Sequence, residues 1–449
     1  MSVLVGHAAV AAPIPRLDVG CLIVGGGPSG TGPLVYAGWA GRLDDFLERG
    51  VALIEESSEL CTGAIPSFDI PSNSPADRFL ECLEHPGSPA AFPRACSSQI
   101  RAELDAVRTN YIHLPRAGNL LRELGMDLCG WFERSANSHL MRGCRVTSIR
   151  TMDDGRYEAI VSRSGEPGSI ACIVSTTKIL VATGGVSMID REIGASIARA
   201  CVEFGGAPTF MTSHQLISRA ITAKALRALF EKRSRNVVIV GGSHSAFSVA
   251  GLLLGDMPEW YFAEGDIAIM HRSRIKLYYD SIGHAEADGY TDFDSDDICP
   301  QTKRIYRVGG LRGAAKELYR RVARSPGCAP ESRVRLIASS GSATEWPIDW
   351  PGVGAVVFAS GYKLREVPFF DRDGREITLQ GSFTGRYVDT QSRLLQADGT
   401  PLPNVFALGV ATGYLPQLEF GGEKSFMGRE NSVWLCQHGL GQRLLESLL

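Results

Sequence analysis

The stretch that decides the fold is Val237–Phe247, VVIVGGSHSAF. Four β-branched residues run into two glycines and a small polar triplet, and an apolar run, FSVAGLLLG, begins at its end. This is the outline of a buried strand turning into a helix, with the helix's unpaired N–H groups aimed where a phosphate would sit. The chain holds a better specimen near its start, CLIVGGGPSG at Cys21–Gly30. There Gly25, Gly27 and Gly30 keep GxGxxG spacing, followed by Pro28, Ser29 and an apolar helix pattern. The first glycine permits the tight turn, the second lets a pyrophosphate approach, and the third lets the helix pack close. In the later copy Ser243 stands where the third glycine of the triplet belongs. Its Cβ would hold a pyrophosphate off, and its hydroxyl, donating to phosphate, would offset that loss.

The strands that follow the two fingers end differently. VALIEES closes on Glu55, 25 positions after Gly30. An acid about 20 positions on would hold the adenosine ribose, and the surplus GRLDDFLERG reads as a lengthened helix end. After the second finger, IAIMHRSR ends on Arg272 and Arg274. A carboxylate there would repel the 2′-phosphate of NADPH, whereas guanidinium groups fork onto it. The alternative is a solvated strand end. His244 reads either as a further phosphate contact or as a solvated turn residue.

Between the fingers, GCRVTSIRTMDDGRYEAIVSR forms two strands hinged at Asp153–Gly155, and STTKILVATGG is an apolar strand ending in glycines. Finger, acidic strand, hairpin and ATGG, in that order, describe a flavin-binding half. Two dinucleotide sites in one chain then have an economical reading: a bound FAD, and a visiting NADPH that reduces it. The late segments VVFASGY and VFALGVATG, and a helix around 430–445, complete the pattern. The expected fold is α/β with two dinucleotide-binding, Rossmann-like domains, the NADPH domain inserted into the FAD domain. The expected boundaries are 1–200 and 337–449 for the FAD domain and 201–336 for the insertion, which would also carry the substrate pocket.

Composition narrows the function. The 449 residues carry 46 basic and 49 acidic side chains, a net charge of −3. That lacks the basic footprint of nucleic-acid binding. Eleven dispersed cysteines include no CxxC, and the nine histidines show no metal spacing, so neither dithiol chemistry nor a metal is expected. The start, MSVLVGHAAVAAPIPRLDVG, lacks the basic leader of a signal peptide. No apolar run approaches the roughly 20 residues of a membrane span. A cytoplasmic protein is expected, with no membrane partner; oligomeric state is not readable.

GGGPSG, Glu55, VATGG at Val181–Gly185, GGSHSA, ASGY and VFALGVATG together span most of the chain. In these features it resembles the class B flavoprotein monooxygenases, including flavin-containing monooxygenases and the ornithine and lysine N-hydroxylases. Lys276–Val308 also looks like the segment that follows the NADPH finger in the N-hydroxylases. The resemblance implies FAD across Gly25, Gly27, Ser29, Gly30 and Glu55, with Val146 near the adenine and Gly409 beside the far phosphates or ribityl. It implies NADPH on Gly241, Gly242, Ser243, Ser245 and Arg272. It further implies oxygenation of a small metabolite by O2 through a flavin C4a-hydroperoxide, at nitrogen in the nearest subfamilies. The departures mark a divergent member: TFMTSHQLIS lacks the glycine expected before His214, and ALGVATG lacks the aspartate of the common GD motif.

Asn73, His214 and Asp280 fall in segments expected to face flavin or substrate. Each has a structural reading too: His214 as a core histidine, Asp280 as a helix cap, and the loop around Asn73 as plain surface. The stretches Glu84–Arg116 and Gly283–Pro330 are expected to shape the substrate pocket. A dehydrogenase, oxidase or reductase would share both dinucleotide sites, and a non-catalytic flavin sensor is a third reading.

Overall fold

In the computed structural model, residues 13–166, 168–218, 236–255, 262–340, 342–416, 418–428 and 432–449 are described. The readings of residues 1–12 and of the helix start at 430 lie outside them.

The strand of the first finger, Arg16–Val24, sits inside a ten-stranded sheet. It pairs in parallel with Val51–Glu55 on one side, Cys21 opposite Val51, and with Ile170–Val181 on the other, Val24 opposite Val181. His139–Arg142 and Pro401–Ala407 extend the parallel part on either flank, so both halves of the chain close one sheet. Leu22, Ile23, Leu53 and Leu180 are fully buried, as parallel strands covered on both faces require. The first half of Ile170–Val181 also pairs antiparallel with Tyr157–Arg163, which folds back from Cys144–Thr151 at the expected hairpin.

The helix Pro28–Trp39 lies over this sheet and under the C-terminal helices Val433–Gln437 and Gly439–Leu448. A Cβ on Gly32 would fall 2.4 Å from the Cys436 carbonyl oxygen. The bare backbone there is what lets the C-terminus close onto the first finger.

The second finger heads a five-stranded parallel sheet in the order Thr209–Thr212, Val353–Phe358, Asn236–Val240, Ile267–His271, Val334–Ala338. Alternation divides its core. Val237 and Ile239 pack with Phe247 and Leu253 of the helix His244–Gly255. Val238 and Val240 face the other way, with Phe358, Trp350 and the Ile197–Cys201 turn of the helix Arg191–Phe204.

Both expected boundaries therefore move. Val353–Phe358, assigned by sequence to the returning FAD segment, is an inner strand of the nucleotide sheet, with Val356 opposite Val238 and Phe210. The helix Arg191–Phe204, most of which was placed before the boundary at 200, packs under that same sheet. The physical reason is closure: a strand buried on both faces needs a neighbour at each edge and a helix over each face. Where the chain leaves the first unit and returns to it, Gly185–Ser187 and Tyr362–Leu364 run antiparallel as a two-stranded ribbon, Gly185 opposite Leu364. Among the described residues no helix is long and apolar enough to cross a membrane.

Candidate active-site cleft

The two fingers open onto one cleft of about 1650 Å3. That exceeds the roughly 300–1,000 Å3 of a pocket for a single small ligand, and it suits two dinucleotides and a substrate.

The first finger forms the floor at one end. Gly25 has φ +102°, and a Cβ on it would meet the Ala182 carbonyl oxygen at 2.3 Å. A Cβ on Gly30 would lie 1.9 Å from the Gly25 carbonyl oxygen, so strand and helix touch backbone to backbone. Gly27 differs, because its nearest atom would be the Gly63 Cα at 3.5 Å. The protein itself tolerates a side chain there, and the space above Gly27 belongs to the cleft. Pro28, Ser29 and Val146 line the same end, and Gly409 sits against the Ser29 hydroxyl, 3.2 Å from where its own Cβ would be. Glu55 lines the cleft and ties strand to finger: its carboxylate accepts from Gly26 N at 2.5 Å and Ser57 N at 2.7 Å. The donors, the bare turn and the acid fit an adenine dinucleotide.

The second finger is built on the same plan and is less open. Gly241 has φ +141°, and its Cβ would meet the Ala359 carbonyl oxygen at 2.6 Å. Gly242 is closed by His271. Ser243 is exposed, and its carbonyl accepts from Ala246 N and Phe247 N at the start of the helix. His244 and Ser245 line the cleft. His244, read as a further phosphate contact or a solvated turn residue, is neither solvated nor charged. Its Nε2 accepts from Arg312 N at 3.0 Å, and burial, aided by the Arg312 guanidinium, pushes its pKa down to about 4. It is a neutral staple between finger and cleft wall.

The two strand-end arginines separate in the same way. The Arg272 side chain is 74% exposed and has only a distant carboxylate, Asp190 at 3.8 Å. Arg274 is spent: it binds Asp292 at 2.7 Å, the buried Asp297 at 2.9 Å and the Tyr306 hydroxyl. Of the pair, only Arg272 is left exposed, and neither lines the cleft.

Asn73, His214 and Asp280 all reach the cleft, from different walls. Asn73 lies on the short strand Pro71–Pro75, paired with Tyr111–His113. His214 lies on the helix Ser213–Ile217, edge-on to Phe68 and 3.4 Å from the Tyr362 hydroxyl. Burial, then the nearby Arg365, lowers its pKa. Asp280 accepts from the Tyr278 hydroxyl at 2.5 Å and pairs with Arg304 at 3.4 Å. It does not cap the following helix, since Ser281 takes that role. Of the two stretches expected to shape the substrate pocket, parts of Thr109–Leu114 and Arg304–Ala315 line the cleft, and the rest of both stays off it. Sequence reasoning passed over Arg304, Arg307 and Arg312, whose spacing in TKRIYRVGGLRG was the available signal.

Comparison with known proteins agrees with this geometry. No family model matches the chain. A CMP-5′-(3-aminopropyl)phosphonate hydroxylase from Streptomyces rubellomurinus is 30% identical over 440 residues, covering 95% of this chain and 97% of that one. Solved structures share the fold: an ornithine N-hydroxylase from Kutzneria sp. 744 (16% identity, 97% and 99% of the chains, TM-score 0.52) and an ornithine hydroxylase from Pseudomonas aeruginosa (14%, 96% and 99%, 0.55). An L-lysine 6-monooxygenase from Pseudomonas syringae is as similar, at 15% identity, 97% and 99% coverage and a TM-score of 0.53. The chain belongs to the class B flavoprotein monooxygenases, the FAD- and NADPH-dependent oxidoreductases, as a divergent member.

Four outcomes follow from this site. Gly30→Ala, clashing at 1.9 Å, loses both flavin and thermal stability, whereas Gly27→Ala folds at near-normal melting temperature and loses flavin absorbance alone. Arg272→Ala raises the Kd for NADPH at least tenfold and leaves that for NADH within twofold. Arg274→Ala leaves the buried Asp297 carboxylate on Ser425, Tyr306 and Asp294 N, and lowers stability by about 1 kcal/mol in a denaturant titration, as loss of a half-exposed ion pair does. His244 sets a pH slope. Below pH 6.5 the unfolded chain protonates it while the folded chain keeps it neutral down to about 4. Its share of stability is therefore whole above pH 6.5 and lost as pH falls through that window. His244→Gln, which retains an acceptor, flattens the slope in pH-dependent unfolding.

Proposed function

We propose that the protein hydroxylates the nitrogen of a small primary amine, using NADPH and O2. The balance is R–NH2 + O2 + NADPH + H+ giving R–NHOH + NADP+ + H2O. The observation that carries this reading is the single cleft shared by both fingers, with room for a substrate beside the two cofactors. The substrate named for the Streptomyces relative ends in an aminopropyl group, which supports nitrogen as the atom oxidised.

The residues divide the work. Gly25, Gly27, Ser29 and Gly30 would hold the FAD pyrophosphate on bare backbone, with Glu55 toward the ribose and Val146 and Gly409 at the two ends. Gly241, Gly242, Ser243 and Ser245 would hold NADPH, with Arg272 on the 2′-phosphate. Bound FAD supplies the reduction by NADPH and the transfer of one oxygen atom from O2. The walls supply positioning and exclusion of water. His214, whose pKa burial lowers, lies 3.4 Å from the Tyr362 hydroxyl, and Asp280 accepts from Tyr278; both face the cleft.

The test is anaerobic mixing with NADPH, then air-saturated buffer with a panel of ω-aminoalkyl phosphonates and their esters. Bleaching of the flavin, followed by hydroxylamine formed in step with NADPH consumed, is the expected result. No bleaching, or full recovery of the electrons as H2O2 with every amine, would sink it.

A further inference from the structure

The charge of the cleft is uneven. At the end walled by Tyr278 and Phe420, three guanidinium groups line it within nine residues, Arg304, Arg307 and Arg312, and Asp280 is the acid among them. Each is held in place by a different device. Arg304 leans on Asp280 at 3.4 Å. Arg307 donates Nη1 to the Phe420 carbonyl at 2.9 Å. The Arg312 guanidinium lies 4.2 Å over the Tyr278 ring and donates to the Arg307 carbonyl. Behind them the buried Glu423 carboxylate accepts from Val308 N and Gly309 N at 2.9 and 2.8 Å, pinning the loop that carries the arginines. Glu423 organises backbone and does not line the cleft.

Like charges gathered and oriented in this way repel one another unless an anion completes the set. A guanidinium has five N–H donors, so the Phe420 anchor orients Arg307 without exhausting its fork. Planar forks match the oxygens of a tetrahedral phosphorus group in bidentate fashion. On the proposed reading NADPH would have other partners for its phosphates: Arg272, exposed at the strand end, for the 2′-phosphate, and the finger backbone with its helix N-terminus for the pyrophosphate. Arg304 and Arg307 sit instead on the loop facing Phe420, in the C-terminal part of the chain.

We propose that Arg304, Arg307 and Arg312 form an anion subsite for a phosphate or phosphonate group on the substrate, at the far end from the nitrogen that is oxidised. The proposal rests on the N-hydroxylation reading for which end reacts. The subsite itself is a matter of binding. It sets specificity by charge: an amine with a phosphorus tail is retained, one with a carboxylate is held weakly, and one with neither is not held.

Isothermal titration of the FAD-loaded protein, saturated with NADP+, tests this with three aminoethyl probes: 2-aminoethylphosphonate, β-alanine and ethylamine. The phosphonate is expected to bind at least tenfold tighter than β-alanine, with no saturable heat from ethylamine. Arg304→Gln should weaken phosphonate binding at least tenfold and leave NADP+ binding within twofold. Arg304→Lys, which keeps the charge and loses the fork, should fall between, and it carries the test should the Gln variant lose flavin. Equal affinity for the three probes, or an unchanged phosphonate affinity in both variants, overturns the proposal. So does loss of phosphonate binding on NADP+ saturation with NADP+ affinity falling in the variants, which would give the arginines to the cofactor. Because the readout needs no turnover, flavin that fails to bleach with NADPH while the phosphonate still binds would count against the N-hydroxylase reading alone.

Discussion

The structure depends on one close approach of bare backbone. At the first finger, Gly30 lies against the carbonyl of Gly25, and Gly25 lies against the carbonyl of Ala182. No side chain larger than hydrogen can occupy either place. That contact sets the helix Pro28–Trp39 end-on to the strand, with its first N–H groups aimed into the cleft, and two turns' worth of consequences follow along it. Two residues further, Gly32 admits the Cys436 carbonyl, so the C-terminal helices settle on the same element. The last strand, Pro401–Ala407, then completes the sheet beside Ile170–Val181 and brings Gly409 opposite Ser29. A dinucleotide site built from both ends of the chain is the result.

The nucleotide unit repeats the device, Gly241 lying against the Ala359 carbonyl, with a different electrostatic outcome. Cations cluster near both of its phosphate-facing regions, and most of them are already committed. Arg274 neutralises Asp292 and Asp297, and His244 gives its acceptor to Arg312 N. On the strand end Arg272 stays exposed, and on the cleft wall Arg304, Arg307 and Arg312 are held by Asp280, the Phe420 carbonyl and the Arg307 carbonyl. The neutral state of His244 belongs to the same arrangement, since a proton there would face the Arg312 guanidinium in a poorly hydrated wall.

Local signals in the sequence were strong wherever backbone geometry dictates residue type. GGGPSG after CLIV, and GGSHSA after VVIV, each demand a strand, a turn and a helix in that order, so two dinucleotide folds were legible without coordinates. So was the hairpin at Asp153–Gly155, and so was the contrast between Glu55 and the arginines after IAIMH. Spacing along the chain does not say which sheet a strand will join. Val353–Phe358 reads like any buried strand, and only its pairing with Asn236–Val240 and Thr209–Thr212 puts it in the nucleotide unit.

Side-chain commitment was the other thing hidden. Arg272 and Arg274 are two positions apart and look alike in sequence, yet one is exposed and the other is locked to a buried aspartate 23 residues away. Arg304, Arg307 and Arg312 are spread along an unremarkable polar loop, and they become one charged wall because Phe420 and Glu423 hold that loop from a distant part of the chain. The sequence by itself determined the class of enzyme, because phosphate-binding turns require glycine at fixed intervals and leave that requirement in plain view. Only the tertiary structure decided which charges face the ligand, because a charge is used up or left over according to partners that the linear order does not reveal.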